Sequence, residues 1–218
     1  MTGLLTSWGD WLPRLLEGLL TSLQLTVVSL LIGVPLGLAL ALLSSARNRA
    51  VRWTAIGLVE IGRGTPALVM LQFVYYGLPS AGLSLTAFVS AIAALSLTTA
   101  GYTSEILRGG LQAVPAGETE AAGALGMSRR DTLRYVIVPQ GVRIALPSLM
   151  GFAILIFQAT SLTFTISVVE LLSQAYSIGA ATFRYLDVLV LAGLLYLAVT
   201  IPAGWLTNGT ERRLSRHL

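Results

Sequence analysis

The chain has 218 residues, of which 55% are hydrophobic and 11% charged, with a mean hydropathy of +0.78, a composition that excludes an ordinary soluble domain and indicates an integral membrane protein. All 14 Lys/Arg side chains are arginine, so a Walker-type phosphate loop, whose lysine reaches the nucleotide phosphates, is excluded and any ATP chemistry has to come from another chain. Cys is absent and the only His is His217, which excludes thiol catalysis, disulfides and His-based metal or acid-base clusters and argues against a hydrolase or redox enzyme.

The opening segment, residues 1–18, carries Asp10, Arg14 and Glu17 and lacks the basic start of a signal peptide. With Trp8, Trp11 and recurring Leu it is expected to lie at the membrane interface as an amphipathic helix. Apolar runs long enough to cross a bilayer follow near 20–44, 53–77, 84–108, 142–166 and 186–207, which predicts five spans in one membrane domain over 19–209, with a short tail at 210–218. In the first span, Gly33 and Gly37 form a small-xxx-small face for a close helix neighbour. In the second, Glu60 and Arg63 share a helix face inside the hydrocarbon layer. Pro66 removes a backbone donor and disfavours the helical conformation at Thr65, so regular helix is expected to break there. The third span ends with a similar pair, Glu105 and Arg108, and the four charges are expected to meet, as a static ion-pair network or as a polar gate. The fourth contains Pro147 and then Gln158, Thr160, Ser161, Thr163 and Thr165, which either satisfy freed backbone groups or line a wet path.

Arginine placement sets the expected orientation. Arg47, Arg49, Arg52, Arg108, Arg129, Arg130, Arg134, Arg143, Arg212, Arg213 and Arg216 fall on one side, and only Arg14 and Arg184 on the other. This spread suits membrane orientation better than a nucleic-acid patch. The positive-inside rule then puts the N-terminus outside and the C-terminus inside, with the polar stretch between the third and fourth spans in the cytoplasm.

That stretch is patterned as two helices. Pro115 suits a first helical position, and Glu118 and Glu120 fall where carboxylates favour the helix dipole. Ala121, Ala122 and Leu125 form a small apolar stripe, and Gly126 follows as a left-handed C-cap. Ser128 and Asp131 make a capping box that starts a second helix, whose Leu133, Val136 and Ile137 share a face until Pro139 interrupts the pattern. A helix-turn-helix over about 115–138, outside the membrane, is expected. It either fills a groove on a partner or rests on the bilayer surface as a connector.

Residues Glu120, Ala121, Ala122, Gly126, Val136, Val138 and Pro139 stand at the spacings of the signature loop of ABC-importer permeases, Glu-Ala-Ala, three residues, Gly, nine residues, Ile-x-Leu-Pro, and the insert resembles that loop with Val at two late positions. Glu60 to Pro66, Gly101 to Gly110, Thr160-Ser161-Leu162, Glu170-Leu171 and Glu211-Arg212-Arg213 further resemble the branch that carries polar amino acids of the histidine, glutamine and glutamate type, so the similarity runs from about residue 20 to 213. Where many members of that branch have Lys-Asp before Thr-Ser-Leu, this chain has Phe157-Gln158-Ala159, a version more similar to glutamate and aspartate permeases.

The resemblance implies an all-α type I ABC importer permease with five transmembrane helices and a cytoplasmic coupling helix pair. It implies a bacterial inner-membrane transport subunit, not an enzyme, that moves a polar amino acid such as glutamate, aspartate or glutamine by alternating access. Glu120, Ala121, Ala122, Leu125 and Gly126 would seat in a cytoplasmic ATPase. Glu60, Arg63, Thr65, Glu105, Gln158, Thr160 and Ser161 would line the substrate path or its gate. The implied partners are an ATPase dimer that holds the ATP and Mg, a second permease (a paralogue or another copy), a periplasmic or lipid-anchored substrate-binding protein and the lipid bilayer. No cofactor, metal or nucleic acid is expected on this chain. The alternatives are a secondary transporter or channel, which often shows inverted repeats that are not visible here, and a membrane scaffold that recruits a cytoplasmic partner.

Overall fold

A computed structural model describes residues 2–214; Arg216 and His217, in the expected tail, lie outside the described residues. The elements are α1 (Thr2–Leu43), α2 (Arg49–Gly64), α3 (Ala67–Gln72), α4 (Ala87–Gln112), α5 (Ala116–Ala124), α6 (Arg129–Asp131), α7 (Val138–Ala159), α8 (Leu171–Thr182) and α9 (Tyr185–Leu214). Short π-helical segments occupy Phe73–Gly77 and Thr132–Ile137, and 3-10 segments occupy Leu78–Ala81 and Thr160–Ile166. Among the described residues no strand is present.

Four stretches are long and apolar enough to cross a membrane, Ser7–Leu43, Ala87–Gln112, Arg129–Ile166 and Tyr185–Arg212, and a fifth arises when α2 and the segment Ala67–Ala81 are taken as one broken span bent by 104°. The bend falls where the sequence placed it. Thr65 is extended (φ −89°, ψ 126°) and Pro66 also leaves the helical region (ψ 136°), because the proline ring disfavours helix at the residue before it.

Two elements differ from expectation. Residues 2–18, expected as a separate interfacial helix, run without a break into the first span. The resulting helix has 42 residues, about 63 Å at the α-helical rise and so about twice the hydrocarbon thickness. Between the fourth and fifth spans lies α8, whose 12 residues are too short to cross. Its Leu171, Ala175 and Ile178 bury against Trp11 and Leu15 of α1 and Val188, Leu191 and Ala192 of α9.

The central element is α4, which packs on α1, α2 and α7. Along it, Ser90, Ser96, Thr98, Thr99, Thr103 and Ser104 are all buried, the small polar residues that let transmembrane helices approach. Gly33 of α1 sits against Thr99 and Gly37 against Thr103, so closely that a methyl group at either would collide with those side chains. The small-residue face read in the first span is thus an internal α1–α4 contact. The large side chains Leu31, Trp53, Ile61, Phe73, Leu186 and Trp205 point outward, as expected of helices whose outer surface meets an apolar environment.

Candidate functional site: the loop before the fourth span and the polar groups of the bundle

The loop between α4 and the fourth span is built by its caps. In α5, Leu125 N–H bonds Ala121 O (3.1 Å), Gly126 N–H bonds Gly123 O (3.0 Å) and Met127 N–H bonds Ala122 O (3.1 Å), the pattern of a Schellman motif. It requires Gly126 in the left-handed region (φ 72°), where a side chain is strained. Ser128 then caps the next helix: its Oγ accepts from Asp131 N–H (3.2 Å) and donates to Asp131 Oδ2 (2.6 Å).

The expected second helix does not end at Pro139; it continues through α6, the π segment and α7 as one stretch, Arg129–Ile166. In the π segment Val138 N–H bonds Leu133 O, a wider turn than the α-helical one. That extra residue makes room for the ring of Pro139, which would collide with the carbonyl four residues back in a regular α-helix. The helix-turn-helix is therefore a short helix, α5, hinged to the base of the fourth span. Gln140 Nε2 of α7 donates to Glu118 Oε2 of α5 at 2.9 Å, a second tie between the two arms.

The stripe read from Ala121, Ala122 and Leu125 is divided. Ala122 is 3% exposed and anchors α5 to the rest of the chain, whereas Leu125 is 81% exposed. Glu120, Ala121 and Gly126 are also exposed. The outer face of the loop therefore offers a leucine knob beside a small-residue surface and a bare glycine turn.

On α2, Glu60 and Arg63 form an ion pair of 2.6 Å with the two side chains 55% and 40% exposed, and on α4 Glu105 and Arg108 form one of 2.6 Å, partly buried. Each pair closes within its own helix, and among the described residues no hydrogen bond or ion pair links one to the other. The helices that carry them nonetheless touch: Gly62 lies against Leu97 and Gly101, and a methyl at Gly101 would meet Arg63 N. Thr65 lies at the bend, its N–H bonded to Ile61 O (3.2 Å).

The hydroxyls at the end of the fourth span do the first of the two things expected of them. Thr160 donates to Phe157 O (2.7 Å), Ser161 to Gln158 O (2.8 Å), Thr163 to Thr160 O (2.7 Å) and Thr165 to Leu162 O (2.8 Å). They satisfy carbonyls as the helix tightens to 3-10 geometry. Gln158 is exposed, and its side chain makes no hydrogen bond to a described residue.

Sequence reasoning passes over Glu170 as a site residue. It is 0% exposed. Its carboxylate accepts from Leu172 N–H (2.9 Å), Ser173 N–H (2.8 Å), Ser22 Oγ (3.3 Å) and Tyr196 Oη (3.2 Å). It caps α8 and binds α8 to α1 and α9 at once. The sequence signals are its place in the Glu170-Leu171 resemblance and an acid followed by an apolar helical pattern, which marks a cap but not its burial.

Residues 33–216 match the family described as "Binding-protein-dependent transport system inner membrane component". The arginine transport system permease protein ArtQ of Bacillus subtilis is 35% identical over 204 residues, covering 93% of each chain. The nopaline transport system permease protein NocM of Agrobacterium fabrum is 39% identical over 216 residues, 94% of this chain and 90% of its own. The glutamate/aspartate import permease protein GltK of Escherichia coli O157:H7 is 32% identical, covering 94% and 97%. A crystal structure of an amino acid ABC transporter with histidines superposes with a TM-score of 0.89 at 34% identity, covering 95% of this chain and 97% of that one. With Glu120, Ala121, Ala122, Gly126 and Pro139 at the signature spacing, the chain belongs to the binding-protein-dependent transport system inner membrane components, the permeases of ABC importers, and among them to the amino-acid permeases.

Proposed function

We propose that the chain is the membrane subunit through which a polar amino acid is imported by alternating access, driven by ATP hydrolysis on a separate cytoplasmic ATPase that seats on α5. The observation that carries this reading is the outer face of the docking loop, where Glu120, Ala121, Leu125 and Gly126 are exposed while Ala122 anchors the helix inward. A push on α5 passes into the fourth span through the Gly126 turn and the Gln140–Glu118 tie, because the stretch from Arg129 onward is one helix.

The exposed Glu60–Arg63 pair supports a second permease beside the first, since a charge pair on an apolar helix needs protein or water against it. The solute is delivered by an extracytoplasmic binding protein. Relatives named for arginine, nopaline and glutamate/aspartate stand at 32–39% identity, and Phe157-Gln158 favours an acidic amino acid or its amide. A thermal-shift screen of the cognate binding protein is expected to single out one of these, and stabilisation only by sugars or peptides would refute the amino-acid reading.

Coupling is tested in proteoliposomes that hold the complete transporter, by ATP hydrolysis with and without loaded binding protein. Gly126→Trp and Ala121→Trp are expected to insert normally yet lose most of the stimulation. The second change carries no left-handed backbone strain, so loss in both reports bulk on the docking face. Stimulation equal to wild type in both variants would exclude α5 as the coupling element.

A further inference from the structure

Behind α5 lies a cavity of about 940 Å3, formed where the C-terminal ends of α1 and α4 meet the turn that follows α5. Arg47, Arg108 and Arg129 line it, and no Asp or Glu does. Arg108 is already engaged by Glu105 (2.6 Å) and Gln112 (3.2 Å). Arg47 and Arg129 make no hydrogen bond or ion pair with any described residue. The cavity is therefore lined by two arginines that no hydrogen bond or ion pair in the described chain engages, and a guanidinium is a planar fork that suits phosphate oxygens.

The remaining wall is largely apolar, with Leu42, Leu111 and Ile137 contributing. Its position explains that mixture. Leu43 and Gln112 end two of the apolar stretches, so the cavity lies at the arginine-rich end of the bundle, the side that faces anionic headgroups. A small free anion would satisfy the guanidinium groups but leave the apolar wall against water. A phospholipid satisfies both, with phosphate at the arginines and its proximal acyl segment on the leucines. Basic pockets between transmembrane helices on the arginine-rich side favour anionic headgroups in this way.

We propose that this cavity binds an anionic phospholipid of the inner leaflet, its phosphodiester held between Arg47 and Arg129. Because Thr119, Gly123 and Met127 form part of the same wall, the lipid also braces the docking loop from the side opposite the ATPase face. The inference rests on the membrane placement of the chain and is independent of the solute carried.

The test is native mass spectrometry of the purified full-length permease, alone and with its ATPase, titrated with phosphatidylglycerol, phosphatidylcholine or inorganic phosphate. Wild type is expected to retain phosphatidylglycerol in preference to phosphatidylcholine, and millimolar inorganic phosphate is expected not to displace it. The double variant Arg47→Gln/Arg129→Gln is expected to bind phosphatidylglycerol about 30-fold more weakly, while Arg52→Gln, outside the cavity, matches wild type. The charge-preserving Arg47→Lys/Arg129→Lys is expected to recover most of the binding, which separates charge from any folding defect. Equal retention of the two lipids, or wild-type retention by the Gln double variant, would overturn the proposal. Displacement by inorganic phosphate would overturn it in favour of a small-anion site. Loss of ATPase binding in the Gln double variant with lipid retention unchanged would overturn it in favour of an acidic segment of the ATPase.

Discussion

Glu170 ties together three helices that the sequence keeps far apart, since Ser22 lies 148 residues before it and Tyr196 26 after. Replacing it with alanine leaves the N–H groups of Leu172 and Ser173 without their acceptor in a buried site, at a cost of about 1–3 kcal/mol. Glu170→Ala is expected to lower the unfolding temperature in detergent, and Glu170→Gln, which keeps one acceptor oxygen, to lower it less. Wild-type stability in both variants would show that the carboxylate is not a structural tie. The docking loop makes the complementary point at the same scale. Ala121 and Ala122 are neighbours of one residue type, yet one faces out and the other is buried, a difference that depends on what α5 packs against.

At the scale of elements, the caps and breaks are legible in the sequence because their causes are local. Gly126 closes α5 and Ser128 opens the next helix through hydrogen bonds to residues within five positions, and Pro66 bends the second span through a clash with its own predecessor. The same local logic misreads Pro139. It is a helix breaker by itself, but the π turn over Thr132–Ile137 gives it room, and the tie from Gln140 to Glu118 helps to hold that geometry. The sequence also hides α8, because a 12-residue helix has neither the length of a span nor the polarity of a loop. Pro139→Ala removes the ring that the wide turn accommodates and is expected to let the segment relax toward regular α-helix, which rotates α5 relative to the fourth span. The expected result is unchanged or higher thermal stability with weaker stimulation of ATP hydrolysis by loaded binding protein. Full stimulation would show that the turn has no part in coupling.

Across the whole molecule, charge and packing agree on two unlike ends. Arg47, Arg108 and Arg129 converge on one cavity at the span termini. At the other end Arg14 reaches Gln174 (3.1 Å) and Ser177 (3.2 Å), and Arg184 bonds Asp187 (2.7 Å) and Ser7 (2.8 Å) while lying over Trp11. Arginine counts alone draw the same division, since they need no knowledge of which helices touch. The charges within the spans resist assignment that way: the meeting of four charges expected from spacing resolves into two separate i,i+3 pairs, because each arginine finds its own helix's carboxylate first. The central claim, that α5 is where an ATPase grips the membrane subunit, is tested most directly at Leu125, the exposed large apolar side chain that caps its C-terminal end. The chain contains no cysteine, so Leu125→Cys provides a single attachment point for a short thiol-to-amine cross-linker in membranes that contain the assembled transporter. A covalent one-to-one adduct with the ATPase, absent when the cysteine instead replaces Gly82 in the turn before α4, is the expected result. Free labelling of the Leu125→Cys thiol by a water-soluble maleimide, with no ATPase adduct, would contradict it.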